Sequence, residues 1–141
     1  MKTYYFFTSL IFAALLCASC DNDDINTSSR PPVFESLTLT PNNVKAGENV
    51  KAVAKYSYAG KDIYKSDYRI TISKGADYRV TYDWTVVDPT KSEPEYSFNA
   101  PEEAGTYEVV FRANKINYSS HGPNGELYGN ANSVNAILRV Y

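Results

Sequence analysis

Pro101-Glu102-Glu103-Ala104-Gly105-Thr106-Tyr107 leads directly into Glu108-Val109-Val110-Phe111-Arg112-Ala113. The first residues carry turn chemistry: a proline that cannot continue a sheet ladder, two adjacent carboxylates, and a glycine that punctuates the chain. The residues after them are rich in valine and aromatic side chains, the composition of a strand. The reading of the whole body rests on this junction, where a turn runs through a glycine and a tyrosine into a strand.

Outward from it, the chain reads as strands separated by turns. Phe34–Thr40 is followed by Pro41-Asn42-Asn43 and a short step from Val44 to Gly47, with Ala46-Gly47-Glu48 as a turn. Asn49–Tyr58 alternates, with Val50, Ala52, Ala54, Tyr56 and Tyr58 on one face, which is the period of a half-buried strand. After Ala59-Gly60-Lys61-Asp62, Ser66–Lys74 turns Tyr68, Ile70 and Ile72 inward. Tyr78–Val87 places Tyr78, Val80, Tyr82, Trp84 and Val86 on one face and Arg79, Thr81, Asp83 and Thr85 on the other. Asp88–Pro94 is a loop, and Glu95–Ala100 is a short strand carrying Tyr96 and Phe98. The last strand, Ser133–Tyr141, alternates Val134, Ala136, Leu138 and Val140 and is expected to pair with the strand from Tyr107 to about Lys115.

Long helical periodicity is absent after residue 20. Roughly seven short strands with frequent turns point to an all-β, antiparallel sandwich. The acidic-x-Gly-x-Tyr spacing at 103–107 resembles the corner before strand F of immunoglobulin-like domains. That resemblance implies that Gly105 makes the tight turn and that the Tyr107 hydroxyl bonds to backbone upstream. No inter-sheet disulfide is possible, and Trp84 falls one strand later than the usual core tryptophan if Ser66–Lys74 is strand C. The body therefore resembles disulfide-free bacterial immunoglobulin-like domains rather than an antibody domain.

Bulk properties bound the function. The 141 residues have room for one domain, and the formal charge of −2 comes from interspersed lysines and carboxylates. Nucleic-acid binders carry a concentrated basic face, so no nucleic-acid partner is expected. The two cysteines, Cys17 and Cys20, both lie at the end of the N-terminal apolar segment, so the body holds neither a disulfide framework nor a cysteine metal site.

That N-terminal segment has the parts of a secretory signal: Lys2, an apolar run from Tyr4 to Leu16 broken by Thr8 and Ser9, then small residues. Its apolar run of about thirteen residues is short of the ~20 that a spanning helix needs. An ordinary signal peptide, with Cys20 incidental, or an uncut anchor would use the same features. Residues 16–20, Leu-Cys-Ala-Ser-Cys, resemble the lipobox of bacterial lipoproteins, with Cys17 standing where leucine is usual. The resemblance implies that residues 1–19 are a lipoprotein signal peptide and that the Cys20 thiolate is acylated. Two or more acyl chains would hold the protein stably in a membrane, where one holds it only marginally. Asp21, Asp23 and Asp24 follow at once and resemble the surface-export signal of Bacteroidetes outer-membrane lipoproteins, although Asp after the lipidated Cys favours inner-membrane retention in other bacteria. The implied location is the outer membrane, facing the cell exterior.

Residues 20–32 are the lipidated cysteine and a polar tether, expected to be disordered because Ile25 is the one larger apolar side chain. About twelve flexible residues reach roughly 20 Å. Residues 33–141 form the immunoglobulin-like domain.

No constellation for catalysis appears. His121, the single histidine, sits in the turn-rich Ser-Ser-His-Gly-Pro-Asn-Gly and reads as an exposed loop residue without a nucleophile elbow beside it. Glu102 and Glu103 are neighbours in a turn and cannot bracket a glycosidic bond. No metal, cofactor or enzymatic activity is expected. Seven tyrosines (Tyr56, Tyr58, Tyr68, Tyr78, Tyr82, Tyr96 and Tyr107) are expected inward, and Tyr64, Tyr118, Tyr128 and Tyr141 fall in loops or at the end. The connection Asn117–Asn132 carries Tyr118, His121, Glu126 and Tyr128, and long loops in compact domains are often functional. It is therefore a candidate ligand loop for a protein or a glycan, weighed evenly against a plain hairpin tip. Two functions follow as expectations. One is a non-catalytic, surface-displayed module for protein interaction, adhesion or envelope assembly. The other is a glycan-binding accessory of a polysaccharide-uptake system, which exposure of Trp84 or of the loop tyrosines would favour.

Overall fold

The computed structural model describes residues 29–119, 126–127 and 131–141. The chain forms β1 (Val33–Thr40), β2 (Asn43–Val44), β3 (Asn49–Tyr58), β4 (Ile63–Lys74), β5 (Tyr78–Val87), β6 (Glu95–Asn99), β7 (Gly105–Tyr118), β8 (Glu126–Leu127) and β9 (Val134–Val140). One 3-10 turn, Pro89–Lys91, lies between β5 and β6. The strands make a two-sheet sandwich. The smaller sheet has the order β1-β3-β6, the larger β2-β9-β7-β4-β5, with β8 pairing β7. All pairs are antiparallel except the short β2–β9 pair, which is parallel.

The alternation read along each strand places the inner layer. Val50, Ala52 and Ala54 of β3 face Tyr68, Ile70 and Ile72 of β4 and Tyr107, Val109 and Phe111 of β7 across the core, all buried. Phe34, Leu37 and Leu39 of β1 complete it, together with Phe98 of β6 and Leu138 and Val140 of β9. Aromatic rings carry the contact between sheets. Phe111 meets Phe34 edge-on at 4.8 Å, Tyr68 at 5.3 Å and Trp84 at 6.0 Å, and Trp84 packs on Tyr96 at 4.7 Å. Such pairs contribute about 0.5–1.5 kcal/mol each beyond their area burial. Trp84 is half-buried in this cluster from β5, the strand after β4, as its sequence position implies.

The corner that opens β7 has the expected tyrosine hydrogen bond. The Tyr107 hydroxyl donates to the Glu103 carbonyl at 2.6 Å, and its fully buried ring meets Tyr78 edge-on at 5.3 Å. The role of Gly105 differs from a tight turn: at φ 158° it is close to extended, and it supplies space. A side chain there would run into the Lys74 stem, whose ammonium reaches Glu103 at 3.1 Å.

Three expectations need correction. Pro31 and Pro32 belong to the folded body. Arg30 and Lys61 exchange backbone hydrogen bonds at 2.9 and 3.1 Å, and Pro32 is fully buried. Gly60 makes this docking possible, since its φ of 91° and the nearby Arg30 carbonyl and Pro32 nitrogen leave no place for a side chain. Tyr58, expected inward, is 40% exposed, because β3 runs past the end of the core there. β4 starts at Ile63, three residues early, and a register irregularity between Ile63 and Lys65 accompanies a buried Ile63 and an exposed Tyr64.

One polar link joins the sheets. The Tyr56 hydroxyl donates to the Pro89 carbonyl at 3.0 Å, so it accepts the Tyr68 hydroxyl at 3.1 Å. Burial, reinforced by the Tyr68 contact, pushes the Tyr56 phenol far above its ordinary range, and burial raises Tyr68 as well.

Two outcomes are expected. Tyr107→Phe removes the donor to Glu103 and should cost about 1 kcal/mol, seen as a fall of roughly 5 °C in the thermal midpoint. An unchanged midpoint would separate the corner from stability. Above pH 10, the ordinary tyrosine value, the unfolded chain loses phenolic protons that folded Tyr56 and Tyr68 keep. Stability is then complete below about pH 10 and falls as pH rises toward the folded values. Urea midpoints from pH 9 to 11 should show this decline, and it should be shallower in Tyr56→Phe.

Candidate functional site

The loop residues singled out in the sequence divide. Tyr118 is buried as the last residue of β7, with its phenol pushed up by burial, and so offers no ring to a ligand. Glu126 lies in β8, paired with Asn117. His121 and Tyr128 lie outside the described residues, as do Cys20, Asp21, Asp23 and Asp24. Asn117 is a strand residue and is buried too. Two buried polar atoms, Ser66 Oγ and Asn117 Oδ1, have no hydrogen-bond partner among the described residues. The far end of the connection is pinned to β1. The Asn132 amide accepts from Phe34 N–H at 2.9 Å and donates to Phe34 C=O at 2.7 Å, imitating a strand partner.

A different surface gathers functional groups. The outer face of the larger sheet carries a cleft of about 410 Å³ lined by Asp67 and Arg69 of β4, Asp83, Trp84 and Thr85 of β5, and Asn114 and Lys115 of β7. Arg69 forks onto Asp83, Nε to Oδ1 at 2.6 Å and Nη2 to Oδ2 at 3.0 Å. Thr85 donates to Asp67 at 2.6 Å, and Asn114 reaches Asp83 at 3.5 Å. The Arg69 guanidinium holds the Asp83 carboxyl below the usual range, and Asp83 in turn raises Arg69. A second, smaller hollow of about 230 Å³ follows on the same face, lined by Thr71, Ser73, Arg79, Glu108, Val110 and Arg112.

A bulge opens the larger cleft. Asp67 pairs with Lys115 and Tyr68 with Ala113, so Asn114 is an extra residue in β7. The insertion shifts the strand's phase by one. Before it the buried positions are Tyr107, Val109, Phe111 and Ala113; after it Ile116, Asn117 and Tyr118 are all buried. The sequence analysis missed this site. Apart from Trp84, which belongs to the inner row of β5, its residues come from outward positions and the bulge of three strands, a signal that is present in the sequence, but their adjacency depends on the order of the strands in the sheet.

Asp83 is paired with Arg69, and Asp67 accepts from Thr85. Among the described residues no group of three or more His, Cys, Asp or Glu side chains could hold a metal ion.

No protein-family model matches the chain, and no curated protein does. The fold is similar to the crystal structure of the CARDB domain of the PF1109 protein from Pyrococcus furiosus, which is in complex with di-metal ions. The TM-score is 0.51 at 19% identity, covering 80% of this chain and 94% of that one. It is more distantly similar to the sporulation control protein Spo0M from Bacillus subtilis, with a TM-score of 0.38 at 14% identity over 77% of this chain and 49% of that one. The body is thus a β-sandwich structurally similar to an immunoglobulin-like CARDB domain.

Deleting Asn114 should restore the uninterrupted period of β7 and turn Ile116 and Tyr118 toward solvent. The expected loss is about 3 kcal/mol or more, read by urea denaturation, because two large side chains leave the core. A wild-type midpoint would show that the bulge does not set the phase.

Proposed function

We propose that this chain is a non-catalytic surface lipoprotein whose immunoglobulin-like domain serves protein interaction, adhesion or assembly of an envelope complex. The observation that carries the reading is Leu16-Cys17-Ala18-Ser19-Cys20 followed at once by Asp21, Asp23 and Asp24, a few residues before the folded body starts. In this reading Cys20 is acylated after removal of residues 1–19, the acidic cluster directs the protein to the outer face, and the sandwich is displayed on a short polar leash. The paired charges and hydroxyls on the outer face of the larger sheet support recognition of a protein, since they offer fixed donors and acceptors over a broad area. Glycan stacking receives less support. Trp84 is engaged with Tyr68, Tyr96 and Phe111, and Tyr118 is in the core.

Fractionation of cells carrying Cys20→Ala tests the anchor. The variant should leave the membrane fraction and appear soluble, while the wild-type chain stays with membranes and is cleaved by protease added to intact cells. Membrane retention of the variant would exclude lipidation as the anchor. Protease resistance of the wild-type chain, lost on lysis, would place the domain inside the envelope.

A further inference from the structure

The two lateral sides of the sandwich are finished differently. On one side β1 leads into β2, which crosses over to pair with β9, and Asn132 clamps Phe34 beside it. On the other side β6 ends the smaller sheet and β5 ends the larger one, each paired on a single side. β5 is the long edge. Its pairing with β4 runs from Tyr78 to Val87 without a register shift. It has no proline and no inward charge, the devices that usually blunt an edge strand.

The inner row of β5 is also unfinished. Tyr78, Val80, Tyr82, Trp84 and Val86 are all half-buried, whereas the neighbouring row on β4, Tyr68, Ile70 and Ile72, is sealed. The Tyr82 and Trp84 rings lean on Tyr96 of β6 at 5.4 and 4.7 Å and line the gap between the two sheet edges.

We infer that β5 is a docking edge for a second copy of this chain, added antiparallel about a two-fold axis at Thr81. Charge selects this occupant and this register. Directly opposed residues of antiparallel strands share a face. Centring the pair on Thr81 sets Arg79 against Asp83 of the second copy, twice by symmetry, and sets Val80 against Tyr82 and Tyr78 against Trp84. Centring on Asp83 would oppose two carboxylates, and centring on Tyr82 would leave Arg79 facing Thr85. The Asp83 carboxylate, with about four lone-pair sites, has acceptor capacity left beyond its two bonds to Arg69 and the one from Asn114. The product is one sheet continuous across both copies, with the half-buried aromatic rows packed side by side.

The test uses the full chain with Thr81→Cys. Opposed Cα atoms in an antiparallel pair are about 4.5–5.5 Å apart, within disulfide reach. Mild oxidation should give a species of twice the monomer mass, absent from the wild type and from Thr38→Cys on the exposed face of β1, which together report any background from Cys17 and Cys20. Adding Arg79→Asp should lower the yield about fivefold or more, since two opposed ion pairs become like-charge contacts. Sedimentation of the wild-type chain in detergent should show the same dimer without any substitution. A monomer in sedimentation, or a folded Thr81→Cys chain that cross-links no more than Thr38→Cys, overturns the inference. So does a cross-link to a species of another mass, which would assign the edge to a different partner. These readouts do not depend on lipidation, so their outcome is separable from that of Cys20→Ala.

Discussion

Everything in this sandwich depends on Phe111. Its ring lies on the central strand of the larger sheet and is met by Phe34 from the smaller sheet and by Tyr68 and Trp84 from its own. Many immunoglobulin-like domains staple their sheets with a disulfide packed on a tryptophan. With no cysteine in the body, the staple here is non-covalent: an aromatic cluster and the phenol chain from Tyr68 through Tyr56 to the Pro89 carbonyl. Aromatic rings suit the task because each buries a large apolar area and still has a preferred geometry with its neighbours. The tyrosine richness of the chain is mainly the expression of this requirement.

The cluster also explains the asymmetry of the molecule. It sits toward β4, β5 and β6, where the small Ala52 and Ala54 of β3 leave room for rings to enter from the opposite sheet. Beside these rings the β5 row stays half-buried. On the opposite side the aliphatic Val44, Leu138 and Val140 let the sheets close, and β2 crosses between them. The β5 edge therefore carries a half-buried aromatic row on one face and the charges of Arg79 and Asp83 on the other.

How far the sequence could be read followed from whether a feature is local. The corner at Glu103–Tyr107 is five residues of chain, and its hydrogen bond formed as expected. Inward rows on β4, β5 and β9, and on β3 as far as Tyr56, followed directly from period two. The reading went wrong where a single residue changes the period. Asn114 makes Tyr118 a core residue, and the irregularity at Tyr64 lengthens β4. Pro32 was misplaced for another reason: its burial depends on Gly60, distant in sequence, making a backbone docking site. The candidate cleft was legible only as outward residues on separate strands, since nothing local says that Asp67, Asp83 and Asn114 are neighbours.

By itself the sequence determined the all-β class, the position of most strands, the faces of their side chains, the corner tyrosine, and the placement of both cysteines outside the body. These are consequences of backbone pleat, turn chemistry and composition, all of which act within a few residues. Apart from the β7–β9 pair, which the sequence anticipated, tertiary structure alone decided which strands share a sheet, where the bulges fall, that β2 seals one side while β5 leaves the other open, and which charges meet on the outer face. Those features depend on pairing and packing between distant segments. Such contacts are fixed by how bulky side chains share one interior, which no short stretch of sequence specifies.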